Sequence, residues 1–144
     1  MRHPAAPALV LLTAGLAAAS TSASPEQNYM LYCMGCHGTE AQGVAGRIPP
    51  LATSLARFMR TPEGRNYVLR VPGAANSALP DAELAAVLNW LSQRYPAPGE
   101  PTATPFTAAE VAQVRRTPLA DVRAARREVV RALAATGTAP AEDY

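Results

Sequence analysis

The sequence predicts an all-α fold, and three observations carry that prediction. Helix-start signals recur at Ser24-Pro25-Glu26-Gln27, Pro80-Asp81-Ala82-Glu83 and Thr107-Ala108-Ala109-Glu110. Aliphatic residues follow them at helical spacing: Leu84, Val87, Leu88 and Leu91 in one segment, Leu119, Val122, Val129, Val130 and Leu133 in another. No segment reads as a strand, and no internal repeat is visible.

Each element has a local cause. Ser24 is a good helix cap, Pro25 suits the first helical position, and Gln27 sits where a capping box needs it. This first helix carries Tyr29, Met30 and Leu31 toward Cys33. A glycine-punctuated loop, Gly38 to Pro50, comes next. Leu51 to Arg60 is then expected to be helical, with Pro62-Glu63-Gly64 breaking it; Glu63 to Val71 is a further short helix, stopped at Pro72-Gly73. Between Pro72 and Leu79 the side chains are small or apolar apart from Asn76 and Ser77. The helix opened by Pro80 has acids in its first turn and runs to about Tyr95. Proline, glycine and threonine then dominate up to Pro105, as in a linker or a rigid wrap across the surface. Thr107 opens a second capping box, Thr117-Pro118 starts a last amphipathic helix, and Gly137 stops it.

Composition narrows the function. Nearly half of the 144 residues are apolar, but alanine dominates and large rings are few. A small domain short of bulky side chains leans on a metal or cofactor for part of its core. The basic residues are all arginine, balanced by acids along the whole chain, for a formal net charge of +2. No half carries a one-signed field, which argues against nucleic-acid binding. At the N-terminus Arg2 and His3 precede an apolar run from Ala5 to Ala19, and Thr21-Ser22-Ala23 offers a cut before Ser24. That layout is a secretory signal peptide, too short for a membrane span. It predicts export to the periplasm, with no membrane span left after cleavage.

The chemistry lies in Cys33-Met34-Gly35-Cys36-His37, a C-x-x-C-H sequence. Two cysteines three residues apart can each add to a different vinyl group of one porphyrin, and the histidine beside them reaches the iron. The expected cofactor is one covalent haem c held by Cys33, Cys36 and His37. A thioredoxin-like pair would sit among alternating strands and helices. A zinc site needs about four ligands, and past residue 23 the chain offers two cysteines and one histidine. A plain disulfide leaves the adjacent histidine unexplained.

With these residues the segment from Ser24 to Tyr95 resembles the class I c-type cytochromes. The resemblance implies a cytochrome c-like fold of about four short helices around one haem, here followed by a C-terminal helical extension. It matches Tyr29, four residues before Cys33, and Trp90 in the last helix of the domain to an aromatic pair that joins the first and last helices. It also matches Pro49, twelve residues after His37, to a proline whose carbonyl accepts a hydrogen bond from the imidazole Nδ1. The family supplies a methionine as second axial ligand from the loop before the last helix. Here that loop, 71–79, contains no methionine, histidine, lysine, tyrosine or cysteine. Three possibilities stay open: Met59 as a metal ligand from an unusual position, Asn76 binding iron or holding a bound water, or a vacant or water-bound position. Arg47, Arg57, Arg60, Arg65 and Arg70 are candidates for haem propionates or an acidic partner, or else a solvated surface.

The expected organisation is a signal peptide at 1–23, a cytochrome domain at 24–96, a proline-rich linker at 97–106 and a helical extension at 107–138. The expected function is single-electron transfer between periplasmic redox proteins such as a dehydrogenase and an oxidase, with no enzymatic activity. The alternative is a ligand-binding sensor or weakly peroxidatic protein with an open sixth iron position.

Overall fold

The computed structural model describes residues 22–138, and the segment read as a signal peptide lies, but for its last two residues, outside them. Among the described residues eight helices follow one another: α1 (Pro25–Tyr32), α2 (Met34–His37), α3 (Leu51–Phe58), α4 (Pro62–Arg70), α5 (Pro72–Ala75), α6 (Asp81–Arg94), α7 (Ala108–Val114) and α8 (Val122–Ala135). Among the described residues the sole β feature is an isolated bridge between Val44 and Ile48. The fold is all-α.

The local signals act as their chemistry requires, with instructive exceptions. Ser24 and Gln27 close a complete capping box on α1. Pro62 does not break a helix but begins one: Thr61 caps α4 by accepting from the Gly64 amide, and Pro62 takes the first position, where its missing N–H costs nothing. Gly64 is required there, since a Cβ would lie 2.1 Å from the Phe58 carbonyl oxygen. Thr107 accepts from Glu110 N, but the Glu110 carboxylate turns away to Arg65, so only half of the second capping box forms. The last helix starts later than Thr117-Pro118, with Asp121 as its cap. The segment 72–79 holds the single turn α5.

Helix α6 is the hub and packs against α1, α3 and α7. Tyr29 meets Trp90 where α1 crosses α6, at 5.7 Å between ring centres and 44° between planes. Beside this pair the buried Asn28 amide donates to the partly exposed Glu83 carboxylate at 2.8 Å, which satisfies its buried donor. Leu84, Val87, Leu88 and Leu91 face inward as their spacing predicts.

The segment from Pro96 onward is not a free tether. Ala103 and Phe106 are buried, and Val111, Val129 and Leu133 join the same core as Leu55, Phe58 and Leu69. Asn89 of α6 grips the strap at both backbone atoms of Phe106, its carbonyl accepting from N at 2.7 Å and its amide donating to O at 2.9 Å. The arginines considered above for propionates or a solvated surface mostly do something else. Arg57 pairs with Glu100 at 2.7 Å, and Arg60 binds the same carboxylate. Arg65 lies over the Phe106 ring at 4.2 Å and holds Glu110 and the Thr104 carbonyl. Arg70 donates to the Thr117 and Pro118 carbonyls. Four of the five therefore fasten the extension to the helices before it; Arg47 is exposed. Arg126 of α8, buried itself, stands 5.0 Å from the Phe58 ring.

Candidate haem-attachment site

The C-x-x-C-H segment is a single helical turn. The Cys36 and His37 amides both return to the Cys33 carbonyl, at 3.2 and 3.0 Å. The thiols of Cys33 and Cys36 thus leave the same turn, one half-buried and one exposed, and are not bridged to each other. Burial, with a smaller contribution from Cys36, pushes the Cys33 thiol up to about 11. It is protonated at neutral pH, the opposite of the low-pKa thiolate a disulfide oxidoreductase presents.

His37 is set by the loop that follows it. Its Nδ1 lies 3.2 Å from the Pro49 carbonyl oxygen. A carbonyl only accepts, so Nδ1 carries the proton and Nε2 keeps its lone pair. Burial lowers the proton affinity of the ring, and the Pro49 contact opposes this more weakly. The neutral ring with Nε2 free is the form that binds a metal.

What places Pro49 is the fold of 38–50. Gly43 N donates to the His37 carbonyl at 2.8 Å, and Val44 and Ile48 exchange two backbone bonds at 2.8 Å each. Gly43 adopts φ +67°, and a Cβ there would sit 2.3 Å from the Ile48 oxygen and 2.8 Å from that of Pro49. Ala41, wholly buried at φ +53°, accepts from the Leu51 and Ala52 amides and so finishes the N-terminus of α3. Tyr29 donates its hydroxyl to Gly38 O at 2.6 Å, tying the α1–α6 crossing to the residue after His37. Sequence reasoning missed Ala41, Gly43 and Asn28. The glycine in a short loop was a usable signal for the second; nothing local marks the other two.

The other candidate residues lie on later elements. Met59 ends α3 with its side chain 1% exposed, inside the cluster of Leu55, Phe58 and Tyr67. Asn76 is exposed and forms the C-terminal cap of α5. Next to Met59 in its cluster, Phe58 and Tyr67 pack edge-on with ring centres 5.6 Å apart.

The residues fit a covalently held haem. Two unbridged thiols on one turn would supply the attachment points, and His37 Nε2 would supply a nitrogen to the iron. Among the described residues no three His, Cys, Asp or Glu side chains gather to hold a metal by themselves. An all-α domain built on this turn and on the α1–α6 crossing defines a c-type cytochrome. The chain is 32% identical over 124 residues to a cytochrome c-552 of Thermus thermophilus, covering 73% of this chain and 82% of that relative. It is 33% identical over 102 residues to another Thermus thermophilus cytochrome c-552, covering 58% of this chain and 78% of the relative. No protein-family model matches the chain. The chain belongs to the class I c-type cytochromes.

Proposed function

We propose that this protein is a periplasmic carrier of single electrons, with one haem fixed by thioether bonds at Cys33 and Cys36 and its iron held by His37. The haem, when bound, supplies a one-electron couple. The chain's own residues supply the rest. The turn 33–37 anchors the group against loss, and Pro49 fixes the tautomer and the orientation of the imidazole. Tyr29, Trp90 and Asn28 hold the helices that carry the turn in one arrangement, so the site changes charge with little rearrangement. The observation that carries this reading is the His37 Nδ1 to Pro49 carbonyl contact beside two unbridged cysteines.

Delivery to the periplasm rests on the segment 1–23 and its export features. The partners are periplasmic redox proteins, a dehydrogenase on one side and an oxidase on the other. Met30, Leu31 and Tyr32, exposed on α1 next to the attachment turn, suit a transient apolar contact with them.

A second reading is favoured by one specific observation: loop 71–79 contains no sulfur for the sixth iron position. Met59, 1% exposed, follows α3 among Leu55, Phe58 and Tyr67. The position is left to Met59 from an unusual place, Asn76, a water or nothing, and an open position binds small ligands. Absorption spectra of oxidised and reduced protein, with and without carbon monoxide, separate the two. A low-spin spectrum that carbon monoxide leaves unchanged supports the carrier with a filled position. High-spin iron that binds carbon monoxide rapidly supports the ligand-binding protein instead.

A further inference from the structure

The turn between α7 and α8 reaches back across the molecule to both ends of loop 71–79. At the loop's start, Arg70 donates Nε to the Thr117 carbonyl at 2.5 Å and a terminal nitrogen to the Pro118 carbonyl at 3.3 Å. At its end, Arg115 donates to the Leu79 carbonyl at 3.0 Å. Arg115 Nε also lies 2.6 Å from Asp81 Oδ1, close enough for an ion pair although not aligned as a hydrogen bond. The Arg115 side chain is 12% exposed and that of Asp81 22%, so water screens the pair only in part. Four consecutive residues, 115–118, therefore bridge the two ends of a loop whose own side-chain anchors are few: Leu79 and Ala74 are buried, and Ser77 Oγ accepts from the Leu79 amide.

We propose that residues 115–118 are a clamp for this loop, with Arg115 as the positioning residue. The clamp fixes how often the loop opens, and so how readily a small ligand enters on the side of the haem away from His37. The inference rests on the proposed haem reading and on the resemblance to the class I c-type cytochromes, which implies that loop 71–79 walls that side. Its physical basis is the loop's own composition. Ala74, Ala75 and Ala78 bury little surface, and the loop's internal bonds are single-turn contacts such as Ala75 N to Val71 O and Asn76 N to Pro72 O. Segments of this kind open locally at low cost unless tied from outside. Hydrogen bonds from a guanidinium to backbone carbonyls are of the charge-assisted, stronger sort.

The test uses the haem-loaded full chain and four variants. Arg115→Gln removes the clamp at one end and Arg70→Gln at the other. Arg115→Lys restores a cation, and Glu100→Gln loosens the extension elsewhere, at Arg57 and Arg60. Two quantities are read: amide hydrogen exchange in the peptide covering 71–79, and the rate of carbon monoxide binding to reduced protein. Losing a charged tie should raise both by about tenfold in R115Q, less in R115K, and leave both unchanged in E100Q. R70Q should raise them by the same mechanism, which keeps the test valid should R115Q fold poorly. Unchanged exchange and binding in R115Q and R70Q would overturn the clamp. So would an equal rise in E100Q, which would mean general loosening of the extension. A colourless protein would instead sink the haem reading on which the clamp depends.

Discussion

Phe106→Ala tests whether the extension is part of the core or merely lies on it. The ring is 3% exposed, and the Arg65 guanidinium stacks on it at 4.2 Å. Truncating a buried phenylalanine costs about 3–5 kcal/mol in lost burial and cavity formation. Stripping Arg65 of its aromatic partner adds about 0.5–1 kcal/mol. The backbone bonds from Asn89 survive the change, so the strap stays attached while its packing is lost. Against a typical domain stability of about 5–15 kcal/mol, the variant should give up roughly a third or more. With a urea slope of about 1–3 kcal/mol per molar, the midpoint falls by roughly 2 M. Urea denaturation followed by far-ultraviolet circular dichroism reads this directly, and the transition should stay single. A loss below about 1 kcal/mol would refute the reasoning, as would a separate early transition for the extension.

Other substitutions probe the site. Gly43→Ala puts a Cβ against the Ile48 and Pro49 oxygens at a left-handed backbone position. It should displace the Pro49 carbonyl and alter the absorption spectrum of the haem; an identical spectrum would show that the loop does not orient His37. Met59→Ala should cost about 2–5 kcal/mol as a buried truncation and leave the spectrum unchanged. A spectral change at intact fold would make that sulfur an iron ligand. Burial raises the Tyr29 hydroxyl from 10.0 to about 12, so native protein holds this proton more tightly than unfolded chain. Its stabilising contribution is complete below pH 10 and declines as pH rises toward 12. Alkaline unfolding curves should show that decline, and Tyr29→Phe should flatten it; equal slopes in both proteins would contradict the assignment.

Much of this architecture can be read from local chemistry. Ser24-Pro25-Glu26-Gln27 specifies its own helix start, and the Leu84–Leu91 periodicity specifies which side of α6 is buried, because both depend on residues within a few turns. The pairing of His37 with Pro49 was legible only through the resemblance to the class I c-type cytochromes, which place a proline twelve residues after the haem histidine. Arg57, Arg60, Arg65 and Arg70 were not legible. Their partners, Glu100, Glu110 and the carbonyls of 104 and 117–118, lie some forty residues away, and a lone arginine in sequence looks the same whether solvated or clasped. Pro62 misled for a subtler reason, since proline ends one helix and begins the next with equal ease; Thr61 ahead of it was the deciding cue. Glu110 shows the converse, a local capping partner drawn off by a distant guanidinium.

The most direct test of the whole account is the mass of the mature chain, made in a host able to attach haem, and of its proteolytic peptides. The peptide containing Cys33 and Cys36 should be heavier by one haem, with both sulfurs blocked to alkylation. A folded protein in which that peptide has its unmodified mass, or that of a simple disulfide, would contradict it.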